Sequence, residues 1–213
     1  MTEQAITDAI LRTALELQRV SAYEEARADE VLRQLTEELR QLLYSADLSA
    51  AGKREVEALI KEAESAIQAR YGAIYGMFDA QGLTVHVAER TVEALQAGFG
   101  DGINAPTLNA LTGRSRNLMV HGLHLKKVLD NHSLHVRDAF ESAINQGRAN
   151  GETQEQIVAR VVGARARPGI MNVARNNARA LVHSAVMSAA NEARMAVYRK
   201  NARFIDGVRW LST

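Results

Sequence analysis

Only two prolines, Pro106 and Pro168, occur in 213 residues. Proline lacks a backbone donor and clashes with the preceding helical turn, so its scarcity leaves long stretches free to run as unbroken helix. The apolar pattern uses that freedom. In residues 4–44, Ile10, Leu11, Leu15, Leu17, Val31, Leu32, Leu35, Leu39, Leu42 and Leu43 recur at three- and four-residue steps between charged residues, predicting one long amphipathic helix. Ser21 and Glu24 interrupt one seam, which argues for a packed bundle helix over a regular coiled coil. Asp47, Leu48, Ser49 and Gly52 mark a break. A second helix over 53–77, carried by Val56, Leu59, Ile60, Ala63, Ile67 and Tyr71, would complete a hairpin, with Glu57–Lys61 as a pair on its solvent face.

Further along, Asp79–Gly82 reads as a turn and Thr84 as the cap of a third helix over 85–99. Residues 100–106, Gly-Asp-Gly-Ile-Asn-Ala-Pro, read as a linker, and 107–120 as a loop or short helix end. The next helix is predicted over 123–145. Thr153 followed by Gln156 is a capping-box signature for a helix that turns Ile157, Val161 and Val162 inward. A loop over 163–169 precedes a last long helix over 170–200. Asp206-Gly207 then reads as a turn before a short strand over 204–211. The expected fold is mainly α: a long helical hairpin and a short helix in 1–99, the linker, and a compact helical module in 107–213 with a small C-terminal β element.

Composition narrows the class. Aromatics are only 5% of residues and alanine is abundant, which favours close helix packing over a bulky sheet core. There is no cysteine, so disulfides and thiolate metal sites are excluded. No apolar run reaches the roughly 18–20 residues of a membrane span. The first residues lack the pattern of a signal peptide. The net charge of +1 conceals an asymmetry. Residues 1–64 hold 14 acidic and 8 basic side chains, whereas 157–213 hold 10 basic and 2 acidic. Two surfaces with different partners are implied.

The basic set is the strongest candidate for contact with nucleic acid or a partner. Arg160, Arg165, Arg167, Arg175 and Arg179 flank Pro168, and Arg194, Arg199, Lys200, Arg203 and Arg209 lie near the end. Such arginines would touch phosphates without reading bases. Few aromatics are interleaved, so a single-strand stacking platform is not indicated. The histidine pairs His121/His124 and His132/His135 have a spacing that puts two rings on one face of a helix. Without a positioned base or an HExxH pattern, they read as surface, packing or interface residues rather than metal ligands. The glycines of 98–102 lack the Lys-Ser/Thr of a phosphate-binding loop, and no nucleophile elbow is present. No catalytic residue, metal or cofactor is expected.

Three segments then fall in a recognisable order. They are Ala139–Gly147 with Glu152–Ile157, the helix from Val182 through Asn191 and Arg194 to Tyr198, and Trp210-Leu211-Ser212-Thr213. Over residues 135–213 the chain resembles the phage head morphogenesis, or minor head protein, family (phage Mu F-like and SPP1 minor head protein-like). Where that family has Arg-Thr-Glu, this chain has His183-Ser184-Ala185. Family members commonly continue beyond the final segment with Cys or His residues, so a naturally short form or a fragment of a longer product is expected.

The resemblance implies a minor capsid protein of a tailed bacteriophage, bound inside the head near the portal in multiple copies. It would assist assembly or the packaging and delivery of DNA. The implied partners are the portal protein, the major capsid or scaffolding protein, and packaged double-stranded DNA, with no membrane before infection. The implied location is the virion interior, after assembly in host cytoplasm. The alternatives are a non-specific DNA-binding protein and a fragment of a larger phage-encoded enzyme or toxin fusion. Two residues are singled out for structural roles. Asn191, a poor helix former in mid-helix, would be buried and bonded to the terminal segment. Trp210 would fill a groove between helices. The other reading leaves Asn191 in solvent and Trp210 over an open core.

Overall fold

The computed structural model describes residues 3–48, 50–165 and 167–205. Arg209, Trp210, the Asp206-Gly207 turn and nearly all of the expected C-terminal strand lie outside them. The helices are α1 (Glu3–Ser45), α2 (Lys53–Met77), α3 (Ala80–Phe99), α4 (Leu108–Arg116), α5 (Leu125–Ala149), α6 (Gln154–Val162) and α7 (Ile170–Lys200). The strands β1 (Met119–Val120) and β2 (Leu123–His124) pair in a two-stranded antiparallel sheet. The fold is mainly α-helical with a small β element, which among the described residues lies at 119–124. Among the described residues, no helix is long and apolar enough to cross a membrane.

The chain forms two compact units, each built from separated segments. The first comprises 1–22, 79–122 and 184–213; the second comprises 23–78 and 123–183. The segment 100–106, read from the sequence as a linker, therefore lies inside the first unit.

In the second unit, Ala28, Leu32, Leu35, Leu39 and Leu43 of α1 are fully buried, as are Ala63 and Ile67 of α2, with Tyr71 almost completely covered. Each buried leucine contributes about 1.5–3 kcal/mol, whereas an exposed ion pair contributes up to about 1 kcal/mol. Packing therefore makes the hairpin, and the Arg70–Glu38 pair between α1 and α2 adds less. Polar side chains close the open helix ends. Gln154 Nε2 donates to the Leu43 carbonyl at 2.8 Å, and Arg148 Nη2 donates to the Ala51 carbonyl at 2.5 Å. Against α2 lies α5, through Val136, Phe140 and Ile144.

In the first unit, α3 packs on α4. Val87, Ala88, Val92 and Ala94 of α3 are buried, with Leu111 of α4. On α7, Ala185, Val186, Ala189, Ala190, Ala193, Ala196 and Val197 are buried. The small alanine side chains let neighbouring helices approach closely.

Several local expectations change. Asp79, not Thr84, caps α3: its carboxylate accepts from Gly82 N–H at 2.8 Å. Thr84 is buried one turn later, donating to the Ala80 carbonyl. Glu57 pairs with Lys53 at 3.8 Å, the earlier of its two i,i+4 neighbours, rather than with Lys61. Ile10, Leu11 and Leu15, counted in the apolar stripe of α1, are 53%, 56% and 57% exposed.

Candidate functional site

The basic residues fall into both units. In the second, Arg175 of α7 holds Asp29 of α1 in a two-pronged contact, Nε to Oδ1 at 2.9 Å and Nη2 to Oδ2 at 2.6 Å. That hydrogen-bonded guanidinium outweighs the burial opposing it and holds the Asp29 carboxyl below the usual carboxylate range, with the charge of Arg179 adding to the effect. On the same α1 turn, Arg33 pairs with Glu30 at 2.7 Å, and its hydrogen bonds, with those of Gln34, push Glu30 down to about 2. Arg160 of α6 pairs with Glu152, its Nε donating to Oε2 at 2.6 Å. Thus Arg160 and Arg175 hold the fold. Arg165, Arg167 and Arg179 are exposed and make no salt bridge among the described residues.

In the first unit, Arg199 and Lys200 are exposed and Arg194 is half-buried, all without salt bridges among the described residues. Arg203 is turned inward on the chain: its Nη2 donates to the Gly102 carbonyl at 3.2 Å and its guanidinium stacks on Phe204, 4.6 Å from the ring centre. Arg209 lies outside the described residues.

A clasp exists, but Asn201 makes it. Asn201 is fully buried. Its Oδ1 accepts from Asn104 N–H, and its Nδ2 donates to the carbonyls of Asn104 and Val197, each at 2.8 Å. The side chain pairs with the Asn104 backbone as a neighbouring strand would, and so fixes the 100–106 segment to the end of α7. Asn191 is exposed. It lies opposite the buried arc centred on Ala189 and Ala193, so the helical register turns it outward.

The histidine pairs also resolve differently. His121 and His124 sit on a hairpin, not a helix. His121 (φ 50°) and Gly122 (φ 78°) both have positive φ, the requirement of a type I′ turn. His124 caps α5, its Nδ1 accepting from Lys126 N–H at 3.3 Å. His132 is half-buried on α5, with Nδ1 2.7 Å from the hydroxyl of Tyr71 on α2. Burial lowers its pKa, and the charge of nearby His135 acts in the same direction. Burial also raises the pKa of the Tyr71 phenol. Both groups are therefore neutral near pH 7, and the pair serves as a hydrogen bond between helices. Among the described residues, no group of three or more His, Asp or Glu is placed to share a metal ion.

In the second unit, α5, α6 and the α6–α7 loop enclose an open groove of about 580 Å³. Two close approaches build it. A Cβ on Gly147 would sit 2.5 Å from Ile157 Cγ1, so only glycine lets α5 and α6 meet there. A Cβ on Gly169 would sit 2.2 Å from Gly163 N, where the loop folds back on itself. Ala164 and Arg167 close the loop with reciprocal backbone hydrogen bonds of 2.9 and 3.1 Å. The capping box at Thr153 and Gln156 fixes the start of α6, with Thr153 N–H donating to Gln156 Oε1 at 2.8 Å. Sequence reading identified that cap and the arginines, but not the groove, because contacts between segments form it. Comparison of the chain with family models, with curated proteins and with solved structures finds no match.

Proposed function

We propose that this chain is a minor head protein of a tailed bacteriophage, an assembly component that binds large neighbours near the portal and carries out no reaction. The observation that carries the reading is the order of family-like segments over residues 135–213. The two parts of the first segment, Ala139–Gly147 and Glu152–Ile157, pack into one corner through the Gly147–Ile157 approach. A corner that tolerates no side chain at Gly147 gives a physical reason for that part of the motif.

The exposed cations support contact with a polyanion or an acidic protein. Arg165, Arg167 and Arg179 serve this role in one unit, with Arg199 and Lys200 in the other. Portal protein, capsid or scaffolding protein and packaged DNA are the proposed partners.

Co-expression with a phage portal protein, followed by purification and electron microscopy of heads, tests this reading. Helical density against the portal on the inner side of the head is the expected result. Density confined to the outer capsid surface, or a chain that never copurifies with portal, would overturn it. If instead the isolated chain binds duplex DNA with a steep salt dependence and ignores portal, the DNA-binding alternative stands.

A further inference from the structure

We infer that the groove between α5, α6 and the α6–α7 loop is a docking site for an extended acidic peptide. This deepens the assembly reading by giving the chemistry of the protein partner.

Four features define the occupant. The groove is walled by Ala139, Ala143, Ala159 and Ala164, whose short side chains leave space for a chain laid between the helices. Arg167 stands on its rim with no carboxylate partner among the described residues. Arg160, also in the lining, is held by Glu152, a carboxylate that a ligand's own would displace. Finally, the groove offers both halves of an amide pairing. Gln146 gives its Nε2 to Ser142 Oγ at 3.0 Å, leaving its carbonyl oxygen. Gln156 gives its Oε1 to Thr153 N–H, leaving its amide donors. An extended peptide backbone presents one donor and one acceptor per residue and needs such partners.

A DNA duplex fits this site less well. It is a convex rod that gains most from a flat or projecting basic face. Here the concavity lies between helices, where a single extended chain fits and a duplex does not enter. Arg167 and Arg160 line the recess and match carboxylates that enter it.

The test uses the full chain and three fluorescent probes: a ten-residue peptide alternating Asp with Ala, the same peptide with Lys for Asp, and a 20-base-pair duplex. Anisotropy is read at low and physiological salt. The Asp peptide is expected to bind and the Lys peptide not to. Arg167→Glu should weaken binding at least tenfold, and Ala159→Phe, which plugs the groove, by a similar factor. Glu152→Gln frees Arg160 and should tighten binding severalfold, a gain that a merely structural role would not produce. Lys61→Ala, an exposed cation on α2 outside the groove, should change nothing. Circular dichroism of each variant separates loss of binding from loss of fold, and Arg167→Glu changes an exposed residue that the packing does not use. Tight duplex binding with the same Arg167 dependence but no peptide binding would overturn the inference in favour of phosphate. Binding of none of the three probes, or of both peptides equally, would also overturn it. Failure here leaves portal copurification untouched, so the two readings fall separately.

Discussion

Asn201 in one unit and Arg175 in the other both tie α7 to a distant segment, but by different physics. Asn201 is neutral, fully buried and satisfied by three 2.8 Å hydrogen bonds. Arg175 is charged, with its side chain about 30% exposed, and meets Asp29 at 2.6 Å. A buried amide has no water to fall back on, so losing it strands its partners. An ion pair near the surface is screened, and its members rehydrate when separated. The first junction should therefore be strong and indifferent to salt and pH, and the second weaker and sensitive to both.

The largest expected effect is at Asn201. Asn201→Ala leaves the N–H and carbonyl of Asn104 unpaired and should cost roughly 2–3 kcal/mol in urea unfolding, unchanged between low and high salt. A loss under about 0.5 kcal/mol would mean that the 100–106 segment finds other partners.

Arg175→Met keeps the aliphatic stem and removes the charge. It should cost about 1 kcal/mol at low salt and less at 1 M. Because the folded pKa of Asp29 is depressed, its contribution is present above the ordinary value of about 3.9 and disappears as pH falls through the folded one. In Arg175→Met that acid-side decline should shrink. An unaltered pH profile would assign the depression to another partner.

A smaller effect, seen as a slope, belongs to His132. Its folded pKa is lowered by burial, so the unfolded chain takes up the proton first. Stability should be complete above the unfolded value of about 6.5 and fall as pH drops toward the folded one. His132→Gln keeps an acceptor for Tyr71 and should flatten that slope, measured by unfolding at pH 5, 6 and 7.

The smallest effect has the opposite sign. Asn191→Ala replaces an exposed, poor helix former with a good one and should stabilise by a few tenths of a kcal/mol. A loss comparable to that of Asn201→Ala would restore Asn191 as a clasp.

The pair Asn191/Asn201 shows what could be read in the sequence. Periodicity gave α2 and α7 their observed limits, because long apolar faces average over many residues. The Thr153–Gln156 box was legible because its partners are three residues apart. Asn201 was not: it follows the last helical residue, where no period applies, and its partner lies 97 positions away. A signal existed in an Asn one turn beyond Val197, at a helix end where carbonyls need donors. The His121-Gly122 turn was missed for a related reason. Three-residue spacing was read as a helix face, whereas the adjacent glycine supports a tight reversal. For the groove, the arginines were visible and the walls were not, because alanines carry no pattern of their own.

Backbone resting on backbone at Gly163 and Gly169 has a consequence for how such a chain evolves. The two glycines work as a mould that admits no ornament, while the residues strung between them remain free to drift. Related chains would keep both glycines and exchange Arg165 and Arg167 for other chemistries, changing what the loop grips without recasting its shape.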